Sequence, residues 1–353
     1  MFTKILAPVD GSTLATGALS HALAVANPDT MLTLLRVVET CTASSNLANP
    51  LDWELQRREA SAHLDELMTQ CALQGDCQVE KVIQGGPAAE RIVEQARGQG
   101  HDLVVISSHG RSGLSGWSAG SVAHKVIDRA GVSILLVRSH KYADTPPGAV
   151  TPAHYRRILA PVDGSLRSKA VLRLATRLAK AHDAELLLAH GVMTPELFQK
   201  TPLCLEDNLL IDSLVAHNRL RAEAYFSDVA QRLDIAIKTH VFAGGDVAES
   251  LHRFAHEKEV DLVILSAHGQ TTGGAWPYGS ITSSFIAYGS THLLIVQDLP
   301  WQDTDESGVE QTTQENRLAT LPMLSAHVLT SQKGLSGANG SAFRLPNPPA
   351  GRG

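Results

Sequence analysis

Apolar residues follow two alternating patterns along this chain: short continuous runs, and longer stretches with helical spacing. In the first half, the spacing of Ala15, Ala18, Leu19 and Ala22 places these residues on one face of a helix. The predicted strands of that half are 5–9, 32–38, 79–83, 103–106 and 132–137. The second half follows the same course, with predicted strands near 158–162, 186–190, 235–242, 262–265 and 293–296. Strands that are apolar throughout and are separated by helices predict parallel sheets covered on both faces.

The chain contains an internal repeat. KILAPVDGS at 4–12 recurs as RILAPVDGS at 157–165, and HDLVVISSHG at 101–110 recurs as VDLVILSAHG at 260–269. The pairs Gly85-Gly86 and Gly120-Ser121 recur in the same order, as Gly244-Gly245 and Gly279-Ser280. A period this long indicates two copies of one domain rather than a stacked array. The predicted fold class is α/β, with two tandem doubly wound five-stranded parallel-sheet domains.

The repeat also predicts the domain boundaries. The first copy covers 1–140, a proline-containing linker covers 141–154, and the second copy covers 155–298. The remaining residues, 299–353, are rich in Gly, Pro, Ser, Thr and Gln, which is typical of a disordered tail. The last run of each copy is short and apolar, and an open edge of that kind invites aggregation. We therefore expect 132–137 and 293–296 to pair with each other.

Composition excludes several classes of function. Thirty Lys and Arg residues against 36 Asp and Glu give a net charge of −6, a poor balance for binding nucleic acid. No apolar run approaches the roughly 20 residues of a membrane span, and Pro8, Asp10 and Gly11 interrupt any apolar signal region near the N-terminus. The four cysteines fit no metal or redox spacing. These features predict a cytoplasmic protein without a nucleic-acid or membrane partner.

Two segments carry residues suited to a ligand crevice at the carboxyl ends of the strands. The first is Pro8–Ser12, where Asp10 can accept hydrogen bonds from a ribose or an adenine amino group, or can simply cap the next helix together with Ser12. The second runs from Ser107 to Gly110 and resumes, after nine residues, at Gly120. Its glycines allow close backbone approach, and a helix that opens at Gly120-Ser121 favours an anion such as phosphate.

This arrangement resembles the universal stress protein family in its tandem form, over about 1–140 and 154–298. Nucleotide-binding members carry G-x-x-G, nine residues, then G-(S/T); both copies here match that spacing, with Ser107 and Ser266 in place of the first glycine. The resemblance implies an adenine nucleotide alpha hydrolase-like fold and a stress-response role. It further implies ATP or a related adenine nucleotide, with or without Mg²⁺, as the ligand, and pairing of the two copies within one chain.

The resemblance assigns nucleotide contacts residue by residue. In the first copy these are Pro8, Asp10, Val37, Ser107, His109, Gly110, Arg111, Gly113, Gly120, Ser121 and Val122. In the second copy they are Asp163, Gly191, Gly269, Gly279, Ser280 and Ile281. Gln270 and Thr272 replace Arg111 and Gly113 there, and Trp276-Pro277-Tyr278 adds bulk at the end of the loop. Lost charge and added bulk predict that the first copy is the better ATP site.

The histidines give no catalytic or metal assignment. His109 and His268 occupy the same loop position, where the ring either contacts a phosphate or orders the loop. His252 and His256 have the i, i+4 spacing of zinc ligands, but HRFAHE lacks the general base of HExxH and a third ligand. The sequence therefore predicts no catalytic residue and no metal site.

Three functions remain open from sequence. The first is a nucleotide-binding signalling protein; the second is a slow ATP hydrolase; the third is a scaffold that acts through protein partners without a nucleotide. No GxxxxGK(S/T) motif and no Mg²⁺-binding carboxylate beside the loop are found, which argues against efficient phosphoryl transfer. A homodimer of chains stays open as well.

Overall fold

The computed structural model describes residues 1–39, 50–108, 121–138, 150–194, 204–269 and 278–297. Most of the predicted linker and the whole predicted tail, 299–353, lie outside the described residues. The described residues all belong to one compact unit that holds both copies of the repeat.

Strands and helices alternate in each copy. The first copy consists of β1 (Lys4–Pro8), α1 (Thr13–Val25), β2 (Met31–Val38), α2 (Pro50–Gln74), β3 (Gln78–Gly85), α3 (Ala88–Gly98), β4 (Leu103–Ser107), α4 (Val122–Ala130) and β5 (Ser133–Val137). The second consists of β6 (Arg157–Pro161), α5 (Leu166–His182), β7 (Glu185–Val192), α6 (Leu205–Arg232), β8 (Ile237–Ala243), α7 (Val247–Glu257), β9 (Leu262–Ser266), α8 (Ser280–Tyr288) and β10 (His292–Val296).

The strands form a single ten-stranded sheet in the order β3-β2-β1-β4-β5-β10-β9-β6-β7-β8. Strands within a copy are parallel, whereas β5 and β10 are antiparallel, with Leu135 opposite Leu294. The predicted α/β fold and the predicted pairing of the two last strands are confirmed. Because the central pair is antiparallel, the carboxyl ends of the strands lie at opposite edges of the sheet in the two copies.

The same turn chemistry starts the first helix of each copy. Gly11 and Gly164 have φ values of +82° and +81°, a left-handed conformation that glycine adopts without steric cost. Ser12 and Ser165 then cap α1 and α5 by accepting the amide hydrogens of Ala15 and Ser168. This turn brings the chain directly from the end of each first strand into a helix.

The glycine pairs correspond differently from what the sequence repeat indicates. The Gly86 amide donates to Val38 O (3.1 Å) and the Gly244 amide donates to Val192 O (3.3 Å), so these two glycines are the equivalent ones. Gly85 therefore matches Ala243, and the second copy has one extra residue before α7. The tryptophan Trp53 lies directly over Gly85, where a Cβ atom would be 2.8 Å from the indole.

Buried polar groups join the two copies beside the β5–β10 pair. The backbone amide of Arg138 donates to Nδ1 of His292 (3.1 Å), and its guanidinium donates to the carbonyls of Phe285 and Ile286 at the end of α8 (2.6 and 2.9 Å). Burial lowers the pKa of Arg138 to about 10. A cation at a helix C-terminus interacts favourably with the helix dipole, so Arg138 ties the first copy to the second.

Candidate functional site

The candidate sites lie where the order of the strands reverses. In the first copy, β1 pairs with β2 on one side and with β4 on the other, and in the second copy β6 pairs with β7 and β9. Connections leave such a strand pair in opposite directions, which opens a crevice at the carboxyl ends. Asp10 follows β1 and Ser107 ends β4, so both predicted segments of the first copy border this crevice.

The aspartate at the end of each first strand closes a turn. Asp10 Oδ1 accepts hydrogen bonds from the Ser12 amide (2.9 Å) and the Ser12 hydroxyl (2.6 Å), and Asp163 Oδ1 accepts one from the Ser165 amide (3.0 Å). The local structural role considered for Asp10 is therefore present in both copies. Contact of Asp10 with a ligand stays a prediction.

A basic side chain supports the same turn from the neighbouring strand. Arg36 Nη1 donates to Val9 O (3.4 Å) and lies next to Gly11, where a Cβ atom would be 3.4 Å away. In the second copy, Nδ1 of His190 donates to Val162 O (2.8 Å) from the equivalent position. The sequence analysis missed both residues, although a polar residue inside an otherwise apolar strand is a visible signal.

The two copies differ where the resemblance places adenine. The first copy has Val37 near the end of β2, and the second has Gly191 at the matching position of β7. A Cβ atom at Gly191 would lie 2.7 Å from Cγ2 of Val247, the first residue of α7, whereas Ala88 begins the matching helix α3. Val247 therefore covers the backbone at this position in the second copy.

Three predicted residues of the second copy come together across its crevice. A Cβ atom at Gly269 would be 3.0 Å from Asp163 Oδ2, and one at Gly279 would be 3.6 Å from the Gly269 amide nitrogen. The Gly279 amide donates to Ala267 O (2.8 Å), which fixes the start of the helix against the end of the strand. Glycine at 269 and 279 thus allows the carboxylate and the two backbone segments to approach closely.

The second site also has a cation that the sequence analysis missed. Arg167, in the first turn of α5, donates from Nη1 to Gly269 O (3.2 Å), and the first copy has Leu14 at this position. The second copy therefore lacks a counterpart of Arg111 in its loop but holds a positive charge beside the same crevice. Loss of charge is thus a weaker argument against an anion there than the sequence indicated.

Serine in place of the first signature glycine has a local role in the second copy. The Ser266 hydroxyl donates to His268 O (2.7 Å), and Ser266 O accepts from the Thr282 hydroxyl of α8 (2.8 Å). In the first copy, Ser107 and Ser108 are both buried at the end of β4. The hydroxyl of Ser266 therefore connects the strand end to the loop, whereas the bond to α8 uses its backbone carbonyl, which glycine would also supply.

The helices α4 and α8 begin one residue apart with respect to the repeat. Ser121 caps α4 by accepting the His124 amide hydrogen (3.2 Å), and Val122 is the first helical residue. In the second copy Gly279 is the cap, Ser280 is the first helical residue and Ile281 the second. Both starts present first-turn amides that lack partners within the helix, the usual chemistry of an anion site.

Some predicted residues cannot be placed, and one is reassigned. His109, Gly110, Arg111, Gly113 and Gly120 lie outside the described residues, as do Trp276 and Pro277. Tyr278, which the sequence analysis counted as bulk at the end of the loop, donates its hydroxyl to Ile127 O of α4 in the first copy (2.6 Å). Tyr278 is therefore a contact between the copies.

Among the described residues, the histidine pair on α7 adds no metal site, and no long helix adds a candidate membrane segment. His252 stacks on Phe285, with ring centroids 4.0 Å apart, and its Nε2 lies 3.0 Å from the Ser284 hydroxyl. Within the described ranges, no group of three or more His, Cys, Asp or Glu residues could hold a metal ion. In the same ranges, no helix has the length and apolar character to cross a membrane.

Comparison with known proteins identifies the family. The model of the universal stress protein family matches residues 1–138 and 154–297. The chain belongs to this family. Its two domains are tandem universal stress protein domains, and its fold is the adenine nucleotide alpha hydrolase-like fold.

Individual relatives resemble one domain or the whole tandem. Universal stress protein A homolog 2 of Coxiella burnetii is 35% identical over 117 residues, which are 32% of this chain and 77% of that protein. A universal stress protein from Archaeoglobus fulgidus has a similar structure, with a TM-score of 0.57 at 16% identity over 83% of this chain and 96% of that one. Another member, solved in complex with cAMP, aligns with 41% of this chain and 98% of its own at 22% identity and a TM-score of 0.27.

Proposed function

We propose that this chain is a stress-response signalling protein that binds ATP or a related adenine nucleotide in the cytoplasm, with the first domain as the tighter site. The observation that carries the proposal is the close approach of Asp163 to Gly269 at the crevice of the second domain. Asp163 Oδ2 would lie 3.0 Å from a Cβ atom added to Gly269. The first domain has the same Asp-Gly-Ser turn at the same place. An acceptor for ribose or base thus faces a glycine that can approach a phosphate chain.

Two differences support the preference for the first domain. Val247 covers Gly191 in the second domain, whereas the matching helix of the first domain begins with the smaller Ala88. Arg111 belongs to the first signature loop, and Gln270 replaces it in the second. Arg167 acts in the opposite direction, but its guanidinium already bonds Gly269 O. On balance, we expect the first domain to accept the nucleotide with less rearrangement.

Isothermal titration calorimetry with ATP, with and without Mg²⁺, tests the proposal through a matched pair of substitutions. Asp10→Asn keeps the side-chain oxygen that closes the turn and removes the negative charge and one strong acceptor. Losing a charged hydrogen-bond partner of the ligand is worth about 1.5–3 kcal/mol, so binding weakens by about tenfold or more. Asp163→Asn makes the same change in the second domain, and we expect it to alter the tighter site by less than about twofold.

The thermal midpoints of both variants show whether the turn has survived. Equal losses of affinity, or a larger loss from Asp163→Asn, would overturn the preference for the first domain. If the unaltered chain binds no adenine nucleotide, the role of a scaffold that acts through protein partners replaces the proposed function.

A further inference from the structure

The C-terminal ends of α4 and α8 are each held by a residue of the opposite domain. Tyr278, which immediately precedes the cap of α8, donates its hydroxyl to Ile127 O near the end of α4 (2.6 Å). Arg138, which immediately follows β5, donates from Nη2 to Ile286 O near the end of α8 (2.9 Å). Ile127 and Ile286 occupy the same position of the repeat. Two different side chains therefore bind equivalent helix carbonyls across the junction.

The antiparallel pairing of β5 with β10 explains why these contacts cross between the domains. It places the amino ends of one domain's strands at the same edge of the sheet as the carboxyl ends of the other domain's strands. The helix α4 runs from the carboxyl end of β4 to the start of β5, and α8 runs from the carboxyl end of β9 to the start of β10. Each helix therefore begins at its own domain's crevice and ends at the edge where the other crevice opens.

Each donor lies beside a backbone contact at the crevice of its own domain. The residue after Tyr278 is Gly279, whose amide donates to Ala267 O just beyond β9 (2.8 Å). The carbonyl of the residue before Arg138 accepts the Ser108 amide hydrogen just beyond β4 (2.8 Å). A change of backbone position at either crevice therefore reaches the donor that holds the other domain's helix.

We propose that the two crevices are energetically coupled, so that an adenine nucleotide bound by one domain strengthens binding by the other through Tyr278 and Arg138. This inference rests on the proposed function. The helices α4 and α8 have nine residues each, a length of about 13.5 Å, and so short a helix moves as one body. A phosphate chain that orders the start of α8 also orders the adjacent Tyr278, whose hydroxyl holds the end of α4. The first domain then loses less conformational entropy when it binds its own nucleotide.

The coupling acts in both directions with the same factor, because linkage between two binding equilibria is reciprocal. Its contacts are shielded from water, since Ile127, Ile286 and Arg138 are all buried. Only a few hydrogen bonds carry the effect, so we expect a factor of about fivefold, at the low end of the usual range for coupled sites.

Hydrogen exchange of the full chain, followed by mass spectrometry, tests whether binding at the first crevice reaches α8. The probe is ATP with Mg²⁺, at a concentration that fills the tighter first site and leaves the second largely empty. We expect peptides from 280–288 to exchange at least about twofold more slowly than without ATP. Arg138→Gln, which introduces the residue that the second domain has at the matching position 297, abolishes this protection of α8.

Isothermal titration calorimetry with ATP tests whether each donor acts on the other domain's site. Arg138→Gln raises the dissociation constant of the second site by about fivefold and leaves that of the first within about twofold. Tyr278→Phe keeps the ring, removes the hydroxyl and raises the dissociation constant of the first site. The matched controls are Arg129→Gln and Tyr288→Phe, because these side chains are 60% and 83% exposed, and they change neither constant.

The outcomes separate this inference from the proposed function. If ATP binds but each substitution changes only its own domain's site, or neither site, the coupling is overturned and the proposed function stands. Equal effects of the controls, or an α8 that is not protected by ATP at the first site, also overturn the coupling. If the unaltered chain binds no adenine nucleotide, both are overturned. Thermal midpoints of all variants show that each remains folded at the temperature of the titration.

Discussion

In the second domain, the side chain of Val247 leaves no room for a side chain at position 191. A Cβ atom at 191 would lie 2.7 Å from Val247 Cγ2, closer than side-chain atoms pack. We expect Gly191→Ala to lower the free energy of unfolding by about 1–3 kcal/mol through overpacking. Adding Val247→Ala makes room and should recover most of this loss, as measured by urea denaturation.

The control for this pair is Gly98→Ala near the end of α3. A Cβ atom there meets nothing within 4 Å, so alanine should leave stability unchanged or raise it by up to about 1 kcal/mol. If the double variant at 191 and 247 is no more stable than Gly191→Ala alone, the two side chains are not in competition. The backbone at Gly191, where the resemblance places adenine, would then be open without moving Val247.

The junction of α5 with α1 contains a histidine whose hydrogen bonds require its neutral form. His182 Nε2 donates to Ala24 O (2.9 Å), so Nδ1 accepts the Tyr155 amide hydrogen (3.5 Å). Burial, chiefly, lowers the pKa of His182 from its ordinary value of 6.5, with a further contribution from His154. The unfolded state therefore binds a proton more readily than the folded state below pH 6.5, and the free energy of unfolding falls as the pH drops through this value.

Urea denaturation at pH 7.5 and at pH 5.5 measures this effect. His182→Gln keeps an amide donor for Ala24 O and cannot titrate, so its loss of stability between the two pH values should be smaller than that of the unaltered chain. Part of the dependence remains in the variant, because burial also lowers the pKa of His101, His240 and His252. An unchanged pH dependence in His182→Gln would rule out this contact as a contributor.

At the level of elements, the apolar pattern predicted the strands better than the spacing of motifs predicted which residues of the two copies correspond. Eight strands follow from short runs of mostly buried residues, because a strand covered on both faces leaves a continuous apolar sequence, whereas the edge strands β3 and β8 contain charged or polar residues and are only partly buried. Spacing alone misaligned Gly85 with Gly244, because only the pairing of β7 with β8 shows the extra residue before α7. The contacts of Arg167 and Tyr278 escaped notice because their partners, Gly269 and Ile127, are more than a hundred residues away in the sequence.

Both hydrophobic cores continue across the junction, so the two domains should unfold together. One core contains Leu19 and Leu172, from α1 and α5, and the other contains Ile127 and Phe285, from α4 and α8. We expect one calorimetric transition for the unaltered chain. Arg138→Ala removes the guanidinium from the buried carbonyls of Phe285 and Ile286, although Phe285 O keeps the Gly289 amide as a donor, and should lower the free energy of unfolding by about 1–3 kcal/mol.

Arg129→Ala is the control for Arg138. Its side chain is 60% exposed and its ion pair with Glu90 is 3.9 Å long, so we expect a change below about 1 kcal/mol. Two well-separated transitions in the unaltered chain, or equal effects of the two substitutions, would show that the domains unfold independently of the Arg138 contact.

The antiparallel pairing of β5 with β10 has a consequence for how the two halves can change over evolution. In a symmetric pair of identical chains, every substitution is made twice, and both crevices change together. Here one covalent chain holds both halves, and their crevices open at opposite edges of the sheet. Matching positions of the two halves can therefore hold different residues, such as Val37 and Gly191 or Leu14 and Arg167. A substitution can change the residues of one crevice while those of the other crevice stay the same.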